Sequence, residues 1–170
     1  AVAVGPLAKR ATVQGGALLR DLDVATAPHA RVVPAGAISH TGASGLILGG
    51  GFGNIMRKFG LTIDSLLSVE MVLADGEIVE ASEATHPDLF WAVRGGSGNF
   101  GIATEFRFRC HDFGPKLYAS ANIIELEHAE EALKAWRAVM ADEAAPDDLA
   151  WISLFRGAPE GQGFEWIPER

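Results

Sequence analysis

The stretch GGSGNFG, residues 95–101, decides which fold the chain can adopt. Its Gly96-x-Gly98-x-x-Gly101 spacing is that of a Rossmann dinucleotide-binding turn, which follows a strand and opens a helix. Here the order is reversed. The preceding THPDLFWAVRGG predicts a helix that starts at Pro87 and stops at glycine, and the following IATEFRFRC alternates like a half-buried strand. The acidic residue expected about 20 residues later has no convincing candidate. A Rossmann fold is therefore not predicted.

Four glycines within these seven residues exceed what a turn between a helix and a strand requires. Such a turn explains one or two of them, because glycine supplies left-handed dihedrals there. A second glycine-rich block lies between Gly36 and Gly60, and its LILGGGFGN lacks the Gly-Lys-Ser/Thr of a phosphate-binding loop. Glycine is also placed where the backbone approaches another group closely. The two blocks are the main candidates for a ligand site.

The segment LLSVEMVLADGEIVEAS, residues 66–82, predicts an antiparallel hairpin. Val69 and Met71 alternate with Glu70, and Asp75-Gly76 is a favoured turn pair. Upstream, RATVQ (10–14) has the pattern of a strand. The helix predicted after it ends before Pro28, and its apolar residues are Leu18, Leu19, Leu22 and Ala25.

The segment DFGPK, residues 112–116, interrupts these patterns and predicts a domain boundary. Beyond it, YASANIIELE (118–127) predicts a strand, and HAEEALKAWRAVMADE (128–143) predicts an amphipathic helix. LAWISLFRG (149–157) predicts another strand. One strand, a helix and a second strand are typical of the beginning of a further domain.

The composition limits the classes of protein to be considered. The 170 residues carry a formal net charge of −8, which argues against a nucleic-acid-binding surface. No apolar run approaches the roughly 20 residues of a membrane-spanning helix. The single cysteine excludes an internal disulfide, and AVAVGPLAKR lacks the basic start of a secretory signal. We therefore expect a cytoplasmic protein.

Side chains with typical catalytic or metal-binding spacing are not evident. Cys110 has no Cys-x-x-Cys partner, and no Gly-x-Ser-x-Gly occurs. The histidines show no paired metal-ligand spacing; they are His29, His40, His86, His111 and His128. No metal site is predicted. His40 lies beside Thr41 inside the first glycine-rich block and is a candidate ligand contact, whereas Arg57-Lys58 is either an anion contact or a solvated face.

Two long strings carry a family resemblance. PAGAISHTGASGLILGGGFGNIMRKFGLTIDSLLSVEMVLADGEIVEAS (34–82) and PDLFWAVRGGSGNFGIATEFRFR (87–109) closely resemble the FAD-binding domain of vanillyl-alcohol-oxidase-type flavoproteins, in particular the berberine-bridge-enzyme-like FAD-linked oxidases. The resemblance runs from Thr12 to Cys110. It implies an α+β fold: residues 1–113 as the C-terminal part of a PCMH-type FAD-binding domain, with an antiparallel-rich sheet and flanking helices, and residues 114–170 as the incomplete beginning of a substrate-binding domain.

The resemblance also implies the cofactor and the chemistry. FAD would lie against glycine-rich backbone, and hydride transfer from an alcohol or amine-type substrate would be followed by reoxidation with O₂. Many relatives attach FAD through two bonds, one to a cysteine and one to a histidine. Ile38 stands at the cysteine position, so a cysteinyl link is not expected, and any histidyl link would lie upstream. No catalytic residue is assigned. The cofactor-binding residues implied are Gly36, His40, Thr41, Gly42, Gly45, Gly49, Gly50, Gly53, Gly101 and Ile102.

Three functions stay open at this point. The chain is part of an FAD-dependent oxidase, a truncated flavin-binding relative without catalysis, or a structural or interaction module that has lost FAD. The expected partners are FAD and a small-molecule substrate, with no nucleic acid and no membrane. A further hypothesis is that the chain associates with a second copy of itself, or with the first subdomain of the FAD-binding domain, which the resemblance implies lies upstream of these residues.

Overall fold

The computed structural model describes residues 1–5, 9–114, 116–120 and 122–153. These residues form two compact units. The first contains the described residues up to 120 together with residues 147–150, and the second takes in residues 122–146 and 151–153. Each unit is considered separately below.

An antiparallel sheet organises the first unit. Its strands are β1 (Val2–Gly5), β2 (Arg10–Gln14), β4 (Leu66–Val72), β5 (Ile78–Ser82) and β6 (Ile102–Arg109). Within the described residues these five strands have the order β1-β2-β6-β4-β5, and every neighbouring pair is antiparallel. The antiparallel-rich sheet that the sequence predicted is confirmed.

Alternation along the strands decides which face of the sheet is buried. Val69 and Met71 of β4 and Phe106 and Phe108 of β6 are fully buried on one face, while Glu70 points to the other. Each phenylalanine contributes roughly 1.5–3 kcal/mol by leaving water. The hairpin turn is closed by the Gly76 N–H, which donates to the Leu73 carbonyl at 3.0 Å. The predicted hairpin is therefore confirmed.

In the described part of the chain, three helices bury residues in the core of the sheet: α1 (Leu19–Thr26), α2 (Ala43–Leu48) and α4 (Pro87–Val93). The short helix α3 (Met56–Phe59) buries none. Helix α1 buries Leu19 and Leu22 and ends before Pro28, as predicted. Helix α4 starts at Pro87 and buries Phe90 and Val93 in the same core.

The helix-before, strand-after order around GGSGNFG is also confirmed. Helix α4 precedes it, a 3-10 turn spans Ser97–Phe100, and β6 follows. Two short strands, β3 (Arg31–Val32) and β7 (His111–Asp112), form a separate antiparallel pair. Strand β1 and the β3–β7 pairing were not predicted.

The second unit contains a 3-10 turn at Leu126–His128 and helix α5 (Ala129–Ala141), which confirms the amphipathic helix. The indole N–H of Trp136 donates to the Trp151 carbonyl at 2.9 Å. The strand predicted over residues 118–127 is wrong for the described residues, because no strand pairs with them. Residues 149–153 are likewise not a strand, and residues 154–157 of that prediction lie outside the described residues. Among the described helices, none is long and apolar enough to cross a membrane.

Candidate functional site

The two glycine-rich blocks meet in the folded chain. The Gly95 N–H donates a hydrogen bond to the Leu48 carbonyl at 3.0 Å, which ties the end of α4 to the end of α2. Leu48 and Gly101 then line one cavity, so residues from both blocks share a single surface.

That cavity has a volume of about 610 Å³ and is a wide depression that is largely open to solvent. Its size falls within the roughly 300–1,000 Å³ of small-molecule pockets. Three segments form it: the turn after β2, helix α2, and the start of β6. The lining residues are Gln14, Gly15, Gly16, Ser44, Leu48, Gly101, Ile102, Ala103 and Thr104.

Gly15 joins the three segments. Its N–H donates to the Thr104 carbonyl at 2.7 Å, and its carbonyl accepts a hydrogen bond from Ser44 Oγ at 2.5 Å. A Cβ at Gly15 would lie 2.3 Å from the Ala103 carbonyl oxygen. Only glycine therefore lets the end of β2 pack this closely against β6.

A β-bulge shapes the wall formed by β6. Glu70 pairs with Glu105, whereas Met71 pairs with Ala103, so Thr104 is an extra residue in the ladder. The Thr104 hydroxyl donates to Glu70 Oε1 at 2.6 Å and holds the bulge in place. Bulges of this kind bend a strand and redirect side chains beside binding sites.

The glycines of this region fall into two groups, according to what a side chain at each position would meet. At Gly36 a Cβ would lie 2.5 Å from Leu46 Cδ1, and at Gly53 it would lie 1.8 Å from the Ala35 carbonyl oxygen. The backbone contact requires glycine at Gly53, whereas at Gly36 the neighbouring atom is the end of a leucine side chain, which can move.

At Gly16, Gly42 and Gly45 a Cβ would meet nothing within 4 Å. None of the three has the left-handed φ that favours glycine, and Gly42 has a φ of −63°. Neither packing within the described residues nor backbone conformation explains these glycines. The open space beside them leaves room for a group outside the chain against the backbone.

Comparison with known proteins shows the family to which the chain belongs. A family model described as "FAD binding domain" matches residues 2–82. FAD-linked oxidoreductase pgmH of Aspergillus terreus is 45% identical over 114 residues, covering 67% of this chain and 23% of that protein. Berberine bridge enzyme-like 5 of Arabidopsis thaliana is 31% identical over 169 residues, covering 95% of this chain and 31% of that protein.

Two solved structures of similar proteins indicate the same family. Physcomitrella patens BBE-like 1 is 39% identical, with a TM-score of 0.63 over 66% of this chain and 25% of that one. A xylooligosaccharide oxidase from Myceliophthora thermophila is 42% identical, with a TM-score of 0.63 over 66% of this chain and 24% of that one. The chain belongs to the FAD-linked oxidoreductases of the vanillyl-alcohol-oxidase/PCMH type, berberine-bridge-enzyme-like. It spans between 23% and 31% of the length of the two curated relatives named here.

Gly101, just before β6, and Ile102, its first residue, both line the cavity. Gly101 has a φ of 146°, and a Cβ there would lie 2.6 Å from the Val72 carbonyl oxygen, so both conformation and packing require glycine. Ile102 exposes 72% of its surface, which is high for an apolar residue.

The other candidate residues predicted from the sequence do not line this cavity. Gly42 and Gly45 belong to the start of α2, beside Ser44. Gly50 has a left-handed φ of 106°, and Gly49 caps the end of α2. The His40 side chain is exposed, and the Thr41 carbonyl accepts from the Leu19 N–H at 3.0 Å. Gly36 lines a different cavity, of about 310 Å³.

Sequence reasoning missed most of the cavity wall. The signal in the sequence for this wall is the Gly15-Gly16 doublet directly after strand β2. Ser44 could not be found from spacing, because its hydrogen bond to Gly15 joins residues 29 positions apart. The missed lining residues are Gln14, Gly15, Gly16, Ser44, Leu48, Ala103 and Thr104.

The Arg57-Lys58 pair contacts the chain itself. Lys58 Nζ forms an ion pair with Asp147 Oδ1 at 2.7 Å, and Arg57 Nη1 donates to the Leu149 carbonyl at 3.2 Å. The hydrogen bond between the Lys58 and Asp147 side chains raises the pKa of Lys58 and lowers that of Asp147. These cations hold residues 147–150 within the first unit.

A serine and a histidine also lie close together, but outside the cavity. Ser65 Oγ and His111 Nε2 are hydrogen bonded at 2.8 Å, and the His111 ring packs on Phe59 with ring centroids 4.5 Å apart. Burial, and then the charge of Arg109, lower the pKa of His111. Ser65 is almost fully buried, so a substrate cannot reach its hydroxyl. Among the described residues, no group of three or more His, Cys, Asp or Glu is placed to hold a metal ion.

Proposed function

We propose that this chain forms one wall of the FAD cleft of an oxidase that takes hydride from an alcohol or amine-type substrate and is reoxidised by O₂. The observation that carries the proposal is the open space beside three glycines: Gly16 lines the cavity, and Gly42 and Gly45 flank its lining residue Ser44 in the sequence. A flat cofactor lying on backbone at Gly42 and Gly45 accounts for them. The family match to an FAD binding domain supplies the identity of the cofactor.

The residues present fit FAD at this place. Gly42, Gly45, Gly49 and Gly50 would face the flavin half, while the backbone at Gly101 and Ile102 would face the adenine end. Gly36 and Gly53 would stabilise this loop by packing within the chain, because atoms of the chain occupy the space that a side chain would take. His40 and Thr41 would flank the flavin at the start of the loop. When bound, FAD supplies the hydride acceptor.

The chain's own contribution is to position the cofactor and to keep water away from it. Hydride transfer requires the reacting groups to be held to within about an angstrom of the productive geometry. Gly15, clamped between Thr104 and Ser44, fixes the turn at the cavity rim, and Leu48 and Ile102 give it apolar walls.

The proposal includes FAD without a cysteinyl link. The only cysteine of the sequence, Cys110, is 2% exposed and belongs to the sheet core. Its burial raises the pKa of the thiol, which disfavours the reactive thiolate. Ile38 is 55% exposed and cannot form such a bond.

The substrate proposal draws on the solved neighbours. These include the xylooligosaccharide oxidase and a 6-hydroxy-D-nicotine oxidase from Arthrobacter nicotinovorans, which is 33% identical with a TM-score of 0.64. The first name suggests that the hydride comes from an alcohol carbon of a sugar. The second suggests a carbon next to an amine nitrogen. Residues 114–170 are proposed to begin the substrate-binding domain and residues 1–113 to complete the FAD-binding part.

A second candidate is flavin binding without catalysis by these residues alone. The match to about a quarter of each relative's length favours it, because the remaining groups of the cleft then come from outside the 170 residues. The proposed partner is the polypeptide that completes the cleft, or a second copy of the chain. Size-exclusion chromatography that returns only a monomer counts against the second copy.

Titration of the purified chain with FAD tests the proposal. The expected result is saturable quenching of flavin fluorescence with a visible flavin spectrum on the protein. A colourless protein that ignores added FAD overturns it. Peroxide release across a panel of sugars, alcohols and amines then tests oxidase chemistry, and flavin reduction without peroxide indicates a dehydrogenase.

A further inference from the structure

We infer that Gly16 and the turn Gln14–Gly16 form a further binding wall of the cleft, which positions the adenosine half of FAD. This inference rests on the proposed function, and it assigns a segment that neither the glycine-rich loops nor the sequence motifs include. Gly16 lies between β2 and α1 and lines the same cavity as Gly101 and Ile102.

The first step is the contrast between two adjacent glycines. Gly15 must be glycine, because a Cβ there would lie 2.3 Å from the Ala103 carbonyl oxygen. At Gly16 a Cβ would meet nothing within 4 Å, and the residue has no left-handed φ. The side chain missing at Gly16 therefore leaves free space in the cavity wall.

The second step is that the turn is held rigidly. The Ala17 N–H donates to the Gln14 carbonyl at 2.9 Å, and the Ala17 carbonyl accepts from the Ala43 N–H at 2.8 Å. Ala17 itself is buried. Gly16 thus sits between two fixed residues, and its exposed backbone keeps its place before a ligand binds, which lowers the entropic cost of binding.

The third step is the polar group that Gly16 offers. Among the described residues, none accepts a hydrogen bond from the Gly16 N–H. This donor lies in the same cavity as the exposed Ile102 side chain. An apolar surface beside a backbone donor suits a flat heteroaromatic ring with acceptor nitrogens, such as a purine.

The fourth step uses charge. The described residues that line the cavity include no lysine, arginine, aspartate or glutamate. A diphosphate would be recognised by cations or by several amides. The neutral adenosine part of FAD therefore matches the cavity better than the diphosphate, while the flavin half is proposed to lie along Gly42–Gly50.

The experiment compares Gly16→Val with Gly98→Val in the full 170-residue chain, using FAD and FMN as probes. Gly98 is a matched control, because a Cβ there also meets open space, its φ is −84°, and it does not line the cavity. We expect Gly16→Val to weaken FAD binding at least tenfold and to leave FMN binding unchanged, since FMN lacks the adenosine half. Gly98→Val should leave both affinities unchanged. Gly16→Ala, with a smaller side chain, should have an intermediate effect on FAD.

Melting temperatures of the variants show whether folding is intact. Equal FAD affinity of Gly16→Val and wild type overturns the inference but leaves the proposed function standing. Equal weakening of FAD and FMN also overturns it, because the turn then does not act on the adenosine half. A wild-type chain that binds neither probe refutes the proposed function, and the inference with it.

Discussion

The Gly95 N–H donates to the Leu48 carbonyl at 3.0 Å, and through this bond two glycine-rich segments far apart in sequence share one surface. Gly95 follows α4, which ends at Val93, and Leu48 is the last residue of α2. Leu48 of one segment and Gly101 of the other line one cavity. Some glycines of the two segments are needed for contacts inside the chain, and others have open space beside them. The two kinds make different predictions.

Gly15 and Gly16 give the sharpest contrast in stability. Gly15→Ala places a methyl group 2.3 Å from the Ala103 carbonyl oxygen, so the turn must shift away from β6. We expect a loss of about 1–3 kcal/mol in the free energy of unfolding, measured by urea titration. Gly16→Ala should be neutral or stabilising by up to about 1 kcal/mol, because the new methyl group meets open space. Equal losses in both variants would contradict this assignment.

The sheet core was predictable from sequence because its signal is local. Alternation in residues 66–82 and 102–110 places Val69 and Phe106 on one face whatever the rest of the chain does. The strand predicted over 118–127 had a similar pattern, yet a strand also needs a neighbour, and no described strand pairs with these residues. The cavity was not predictable for the same reason: Ser44 and Gly15 become neighbours only after folding.

Phe106 tests the core assignment. Its side chain is fully buried and lies 6.4 Å from the Phe108 ring, centroid to centroid. Phe106→Ala should cost about 3–5 kcal/mol, because it removes buried apolar area and leaves a cavity. Trp91 on α4 is 79% exposed, so Trp91→Ala is the control and should change stability by no more than about 0.5 kcal/mol. Similar effects of the two substitutions would argue against this sheet packing.

His111 predicts a pH dependence of stability. Burial, and then the charge of Arg109, lower its pKa in the folded protein below the ordinary 6.5. The unfolded chain therefore takes up a proton more readily, so the stability contributed by neutral His111 is present above about pH 6.5 and is lost as pH falls through the folded pKa. Urea unfolding from pH 7.5 down to pH 5 measures the loss. His111→Gln should flatten this part of the profile, and an unchanged slope would show that another group is responsible.

The burial of Cys110 predicts that its thiol is unreactive and that no flavin is attached to it. The side chain is 2% exposed, and burial raises its pKa, so Ellman's reagent should not react with the native protein at pH 8. The same reagent should titrate one thiol after denaturation in guanidinium. After FAD loading, acid precipitation should leave the flavin in the supernatant. Flavin that stays with the precipitate of the wild type and leaves that of Cys110→Ser would show a cysteinyl bond.

Gly45 and Gly53 test whether glycines can be separated into ligand-facing and packing positions. Gly45 lies in α2, and a Cβ there would meet open space, so Gly45→Ala should raise helix stability by roughly 0.5–1 kcal/mol. The same methyl group would project toward the proposed flavin, and FAD affinity should fall at least tenfold. At Gly53 a Cβ would lie 1.8 Å from the Ala35 carbonyl oxygen, so Gly53→Ala should lower stability first and FAD binding only with it.

Urea unfolding without FAD and fluorescence titration with FAD separate the two effects. A Gly45→Ala variant that folds more stably and binds FAD less well has lost clearance for a ligand, since the new methyl group meets none of the described residues within 4 Å. A variant that binds FAD as tightly as the wild type would remove Gly45 from the proposed contact surface. Because stability and affinity move in opposite directions only at a ligand-facing glycine, the sign of the two changes assigns each position without a bound structure.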